Sequence, residues 1–130
     1  MSYLLDTHVV LCLLGEPQRL PAWVRETLAD RANTLLVSAV SAMEVATKFR
    51  LGKLDVARGL VDSWDARVHD IDGEELPLSA RHALAAGAMT WAHRDPFDRM
   101  LAAQSMLENA PLVSGDVAMS ELPGLRLLSW

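Results

Sequence analysis

Four acids are marked out by their positions. Asp6, Glu44, Asp98 and Asp116 each lie just after an apolar strand-like run or within the first turn of a helix-like segment. YLLD ends in Asp6, TLLVSAVSAME runs to Glu44, HRDPFDRMLAAQ carries Asp98, and PLVSGD delivers Asp116. In a chain that alternates strands and helices, such points gather at the carboxyl edge of a parallel sheet, where ligands bind. Carboxylates crowded into one cleft repel one another unless cations neutralise them. The pattern therefore points to a divalent metal site, and phosphodiester hydrolysis is the chemistry such a site most often supports. Mg2+ suits it, because that ion keeps most of its waters and needs only one or two direct carboxylates; Mn2+ accepts the same oxygens.

Each acid also has a purely structural explanation. Asp6 precedes a helix and reads as an N-cap. Ser41-Ala-Met-Glu44 spells a capping box, and Asp95-Pro96-Phe97-Asp98 reads as N-cap, proline at N1 and an acid at N3. Asp116 follows Ser114-Gly115 and fits a turn. Capping alone does not explain why all four fall on the strand-to-helix side. The two roles are compatible, since a helix N-terminus keeps a carboxylate ionised and oriented.

Other chemistries find little support. His8, His69, His82 and His93 lack paired zinc spacing, and Cys12, the sole cysteine, has no CxxC partner. His93, two residues before Asp95, reads first as a surface histidine near a helix end, with contact to a phosphate the lesser alternative. No GxSxG, GxGxxG or GxxxxGK[ST] occurs. Trp23, Trp64, Trp91 and Trp130 read most economically as core or interface residues, with base stacking the lesser alternative.

The elements that must hold the acids follow from periodicity and breakers. Strands are expected at Tyr3–Leu5, Thr34–Ser38, Leu76–Leu78, Leu112–Ser114 and Leu125–Leu128, the third weakened by Pro77. Helices are expected over Thr7–Leu14, Pro21–Arg31, Ser41–Leu51, Val56–His69, Ser79–Trp91 and Pro96–Glu108, with a short one before the last strand. Gly15 and Gly52 end the first and third of these helices. Leu60, Trp64 and Val68 form one apolar stripe, open either to the core or to a partner peptide. The alternation implies an α/β fold, a short, mostly parallel sheet with helices on both faces.

The chain has 130 residues, 51% hydrophobic and 22% charged, which suits one domain over 1–130. A single cysteine, no signal-like N-terminus and no apolar run near the roughly 20 residues of a spanning helix suggest a cytoplasmic protein without a membrane segment. The net charge of −5 is the wrong sign for binding nucleic acid through a broad basic surface. Local cations remain available: Lys48, Arg50 and Lys53 after Glu44, and Arg94 and Arg99 around Asp98.

With these motifs placed, the chain resembles the PIN-domain family, specifically the toxin ribonucleases of VapBC-type toxin–antitoxin pairs. LLDTH, SAVSAMEVATKFRLGKL, HRDPFDRMLAAQ and LVSGD appear in the family's order and spacing, over nearly the full length. The resemblance implies a three-layer α-β-α fold and a catalytic quartet of Asp6, Glu44, Asp98 and Asp116 holding Mg2+. Asp95 would be an auxiliary acid and Ser114 the usual small hydroxyl residue. It implies endonucleolytic cleavage of tRNA or rRNA loops leaving a 5′-phosphate and a 3′-hydroxyl, a homodimer, and a VapB-type antitoxin whose C-terminal segment covers the groove. Lys48, Arg94 and Arg99 are candidate RNA contacts. Met43 and Cys12 stand where tryptophan is frequent, and Thr90-Trp91 replaces a common Leu-Pro. The competing readings are a degenerate PIN-like binding scaffold and a phosphotransfer receiver domain; the second lacks its paired acids and late lysine.

Overall fold

Short apolar segments buried on both faces make the centre of the molecule, as parallel strands require. The computed structural model describes residues 1–54 and 58–130. Strands β1 (Ser2–Leu5), β2 (Thr34–Ser38), β3 (Gly73–Leu76), β4 (Leu112–Val113) and β5 (Leu127–Leu128) lie in the order β3-β2-β1-β4-β5. Every pairing is parallel, with Leu4 opposite Leu36 on one side and Leu112 on the other. The chain builds outward from β1 to β2 and β3, then returns to lay β4 on the opposite side. The order thus reverses between β1 and β4, and the crevice beyond that point is where open α/β sheets bind ligands.

Alternation along each strand divides the core between two faces. Leu5, Leu35, Val37 and Val113 pack with Val9 and Val10 of α1 (Thr7–Gly15), Val24 and Leu28 of α2 (Ala22–Ala29) and Val68 of α5 (Trp64–Asp70). Leu4 and Leu112 point the other way, against Leu101 and Ala102 of α7 (Pro96–Leu107) and Met119. Each such Leu or Val stabilises the fold by about 1.5–3 kcal/mol when fully buried. The result is the expected three-layer α-β-α arrangement.

Polar side chains tie the layers together near the site. Gln104 of α7 is fully buried; its Oε1 accepts the Ser38 hydroxyl and its Nε2 donates to the Pro77 carbonyl at 3.2 Å. The Thr7 and Ser41 hydroxyls pair at 2.9 Å, joining α1 to α3 (Ala39–Arg50). Gly52 takes φ +74° after α3, and the Lys53 N–H reaches the Lys48 carbonyl at 2.8 Å, a closure that favours glycine.

Several expected boundaries move, each for a local reason. Pro21 is the N-cap of α2, not its first residue, and α2 ends at Ala29. Helix α3 starts at Ala39, because the Ser38 hydroxyl caps the Val40 N–H at 2.9 Å. The expected Ser41–Glu44 capping box is therefore absent, and Glu44 lies in the second turn. The expected Val56–His69 helix begins outside the described residues; what is described is two pieces, α4 (Arg58–Asp62) and α5. Leu60 and Val68 are buried and Trp64 packs against the core, so the apolar stripe faces inward and is closed to a partner peptide. Strand β3 is an edge strand at Gly73–Leu76, ending before Pro77, which has no N–H to give.

Helix α6 (Ala80–Ala88) stops short of Trp91. Its N-terminus carries an unforeseen capping box, in which the Ser79 hydroxyl accepts the His82 N–H and His82 Nδ1 accepts the Ser79 N–H. Helix α7 opens as expected on Asp95 and Pro96 and closes one residue early, with Glu108 as its C-cap. Between β4 and β5 runs a 3-10 turn, Val117–Glu121, capped by Asp116.

Candidate active site

Asp6 directly follows β1 and caps α1. Its Oδ1 accepts the Thr7 N–H at 2.8 Å and its Oδ2 accepts the Ser114 hydroxyl at 2.6 Å. Ser114 follows β4, the strand across the crevice, so this hydrogen bond bridges the point where the sheet order reverses. The same Ser114 oxygen accepts the Asp116 N–H at 3.0 Å. Asp116, more exposed, accepts the Ala118 N–H at 3.0 Å through Oδ1.

Glu44 enters from α3. Its Oε2 accepts the Lys48 ammonium at 2.6 Å one turn later, while Oε1 is buried with no hydrogen-bond partner. Asp98 enters from the first turn of α7, where Asp95 Oδ1 caps the Phe97 and Asp98 N–H groups at 2.9 and 3.4 Å. Asp98 Oδ2 is 2.6 Å from His93 Nε2. Asp6, Glu44, Lys48, Asp95, Asp98 and Asp116 line one cleft of about 210 Å³, together with Thr7, His8 and Leu11.

The electrostatics are those of crowded acids. Burial raises the Asp6 carboxyl above its ordinary range and the Glu44 charge adds to the rise, against the Ser114 hydrogen bond and the nearby His8. Burial, reinforced by Asp95 and Asp6, pushes Asp98 up to about 6, although the His93 hydrogen bond opposes this. The same hydrogen bond raises His93. Burial disfavours the Lys48 ammonium, yet its bond to Glu44 and the charges of Glu44, Asp95 and Asp98 outweigh that and raise its pKa. Lys48 thus stays cationic at the wall of the cleft.

Two carboxyls held above their usual range and one buried carboxylate oxygen without a partner are what a bound cation would relieve. A donor set made mostly of carboxylate oxygens is that of a hard divalent ion. Among the described residues, the tightest group of three metal-binding side chains is His93, Asp95 and Asp98, whose ligand atoms lie within 4.8 Å of one another. Sequence reasoning weighed His93 only as a phosphate contact and missed its pairing with Asp98. The available signal was its place before a proline-started helix, which turns the chain so that residues five apart can meet.

The remaining basic candidates are distributed differently. Arg94 is exposed beside the cleft but does not line it. Arg99 is turned away: its Nε donates to the Ala86 carbonyl, one Nη to Trp91 and His93, and the other to Met89, at 2.7–3.1 Å. It clamps the loop that presents His93 and explains why α6 ends early. Its guanidinium is thereby spent on carbonyls, which corrects the expectation that it contacts RNA.

A family model described as PIN domain matches residues 3–125. No curated protein matches the chain. Among solved structures, it is similar to a chain of VapBC2 from Rickettsia felis, crystallised on a DNA fragment of its promoter, at TM-score 0.73 and 20% identity, covering 100% of this chain and 99% of that one. It is also similar to DNA-bound VapBC from Salmonella typhimurium, at TM-score 0.71 and 18% identity over 100% and 98% of the two chains. VapBC-1 from nontypeable Haemophilus influenzae gives TM-score 0.67 and 18% identity over the same shares. At these identities the likeness is one of fold.

Proposed function

Because this chain belongs to the PIN-domain family, we propose that, as one PIN domain, it is a metal-dependent endoribonuclease of the VapC type, the toxin of a VapBC-type pair. The observation that carries this reading is the convergence of Asp6, Glu44, Asp98 and Asp116 on one cleft where the sheet order reverses. Asp6 and Asp98 would be the most direct holders of Mg2+, or of Mn2+ in its place, with Glu44 and Asp116 completing the set. Once bound, that ion supplies a more acidic water and stabilises charge developing on phosphate oxygens.

The chain's own groups do the remaining work. Ser114 fixes the rotamer of Asp6, and Lys48 holds one Glu44 oxygen while the other is left without a hydrogen-bond partner. Asp95 anchors the first turn of α7 and thereby aims Asp98. Hydrolysis forms a bond from the water oxygen to phosphorus and breaks the bond to O3′, which leaves with a proton. A recessed cleft selects an exposed RNA loop or single strand, because a duplex phosphate cannot reach it. Lys48 and Arg94 are the residues offered for RNA backbone contact.

For partners, we infer a VapB-type antitoxin and a homodimeric toxin. The acidic cleft suits a basic antitoxin segment, and the structural relatives are VapBC assemblies. A cytoplasmic location fits the single cysteine, and no described helix is long and apolar enough to cross a membrane.

Incubation with structured RNA tests the reading. Cleavage should need Mg2+ or Mn2+, stop with a chelator, resume on metal re-addition and leave 5′-phosphate ends. Undiminished cleavage in excess chelator would contradict it. If neither ion raises the melting temperature and no RNA is cut, the molecule is a non-catalytic scaffold. A further prediction concerns Ser114→Ala, which leaves Asp6 Oδ2 without its donor. Metal affinity, measured by calorimetric titration, should fall about 10–100-fold, the usual effect of losing a group that orients a ligand. An unchanged affinity would remove Ser114 from the site.

A further inference from the structure

Next to the acidic cleft, and sharing His8 and Asp116 with it, lies a second pocket of about 300 Å³ that also includes Arg19, Gly115 and Trp130. Its floor is built with close tolerance. The Trp130 indole lies over Gly115 so tightly that a Cβ there would sit 2.9 Å from two ring carbons. Any larger residue at Gly115 would force the ring or the backbone to shift. Trp130 nonetheless stays 42% exposed.

His8 lines the same pocket beside Trp130. The His8 ring stands 6.1 Å from that of Trp130, tilted by 58°. Its Nε2 lies 3.2 Å from the Gly115 N–H, which orients the ring. Arg19 supplies a cation on the same pocket, whose one acidic lining residue among those described is Asp116.

A part-exposed indole and a guanidinium in a pocket that adjoins the acidic cleft match one ligand class. Single-stranded RNA is held by stacking its unpaired bases on aromatic side chains while cations take its backbone. We propose that this pocket receives the unpaired base flanking the scissile phosphate, stacked on Trp130, with Arg19 on the adjoining phosphate. The inference rests on the nuclease reading above and adds to it a base-binding subsite.

The test uses the intact protein and a single-stranded RNA cut at one mapped position, with an abasic nucleotide moved one place at a time through the substrate. In the wild type, kcat/KM should fall about tenfold or more when the abasic nucleotide flanks the cut, the usual scale of one stacked base, and little elsewhere. In Trp130→Ala that position should lose its sensitivity, and Trp130→Phe should restore much of it. Stabilisation by Mg2+ should stay the same in all three proteins. Equal wild-type rates across the abasic series would overturn the subsite without touching the nuclease assignment, and would do so even if Trp130→Ala failed to fold. Sensitivity that persists in a folded Trp130→Ala would also overturn it. Should Trp130→Ala instead weaken only the binding of an antitoxin peptide, the pocket belongs to that peptide. If the wild type cuts no RNA under any metal, the nuclease reading itself is lost.

Discussion

Asp98→Asn should cut the rate of RNA cleavage by at least about 10²–10³-fold, the scale of losing one electrostatic group at a reacting centre, while making the metal-free protein more stable. The two effects have one cause. Burial and neighbouring acids move the Asp98 carboxyl from its ordinary 3.8 to about 6. The folded state therefore binds the proton more tightly than the unfolded chain does. Between those values stability falls as pH rises, and above them the whole penalty is present. At pH 7 it amounts to roughly 2 kcal/mol, since each pK step is about 1.4 kcal/mol and some water reaches the cleft.

An amide carries no such penalty, so the variant without metal should melt several degrees higher at pH 7. The wild type should recover that stability on acidification through pH 6 toward pH 4. His93, raised by the same hydrogen bond, acts in the same direction, because its charged form is favoured below its folded pKa. Adding Mg2+ should raise the wild-type melting temperature and flatten this pH slope, with no effect on the variant. A metal-free Asp98→Asn that melts lower than wild type at pH 7 would show that the acid is structural.

The second large effect belongs to Arg99. Its guanidinium satisfies the carbonyls of Ala86, Met89, Trp91 and His93. Arg99→Met keeps the stem and bares all four, which should cost about 3 kcal/mol in urea denaturation. Cleavage should fall as well, since the loop carrying His93 and leading to Asp95 loses its anchor. Arg99→Lys should recover little of either, because an ammonium cannot reproduce the planar fork. A variant with wild-type stability would mean that water serves those carbonyls equally well.

How much of this was readable beforehand differs by residue. The strand-end positions of Asp6 and Asp116 followed from local pattern, because a buried parallel strand and its breaker both leave marks in sequence. Helix α7 was equally plain, since proline and acid occupy fixed places at a helix start. Glu44 invited a wrong local account: Ser41 had the right spacing for a capping box, but Ser38 took the cap and Ser41 paired with Thr7, 34 residues away. The Leu60–Trp64–Val68 stripe showed only that one face was apolar, not what covered it. Arg99 and Trp130 were opaque for the same reason. Their partners, backbone carbonyls in one case and Gly115 in the other, are chosen by tertiary packing and carry no side-chain signal of their own.

The position of β1 at the middle of the sheet has a consequence during synthesis. Two members of the acidic quartet, Asp6 and Glu44, lie early in the chain, and the others, Asp98 and Asp116, arrive only with its final quarter. Strand β4 must then dock against β1, with Ser114 closing on Asp6 from 108 positions away. A nascent or prematurely terminated polypeptide lacks half the centre. The acidic centre therefore forms only after the segment carrying Asp98 and Asp116 has emerged and β4 has docked on β1.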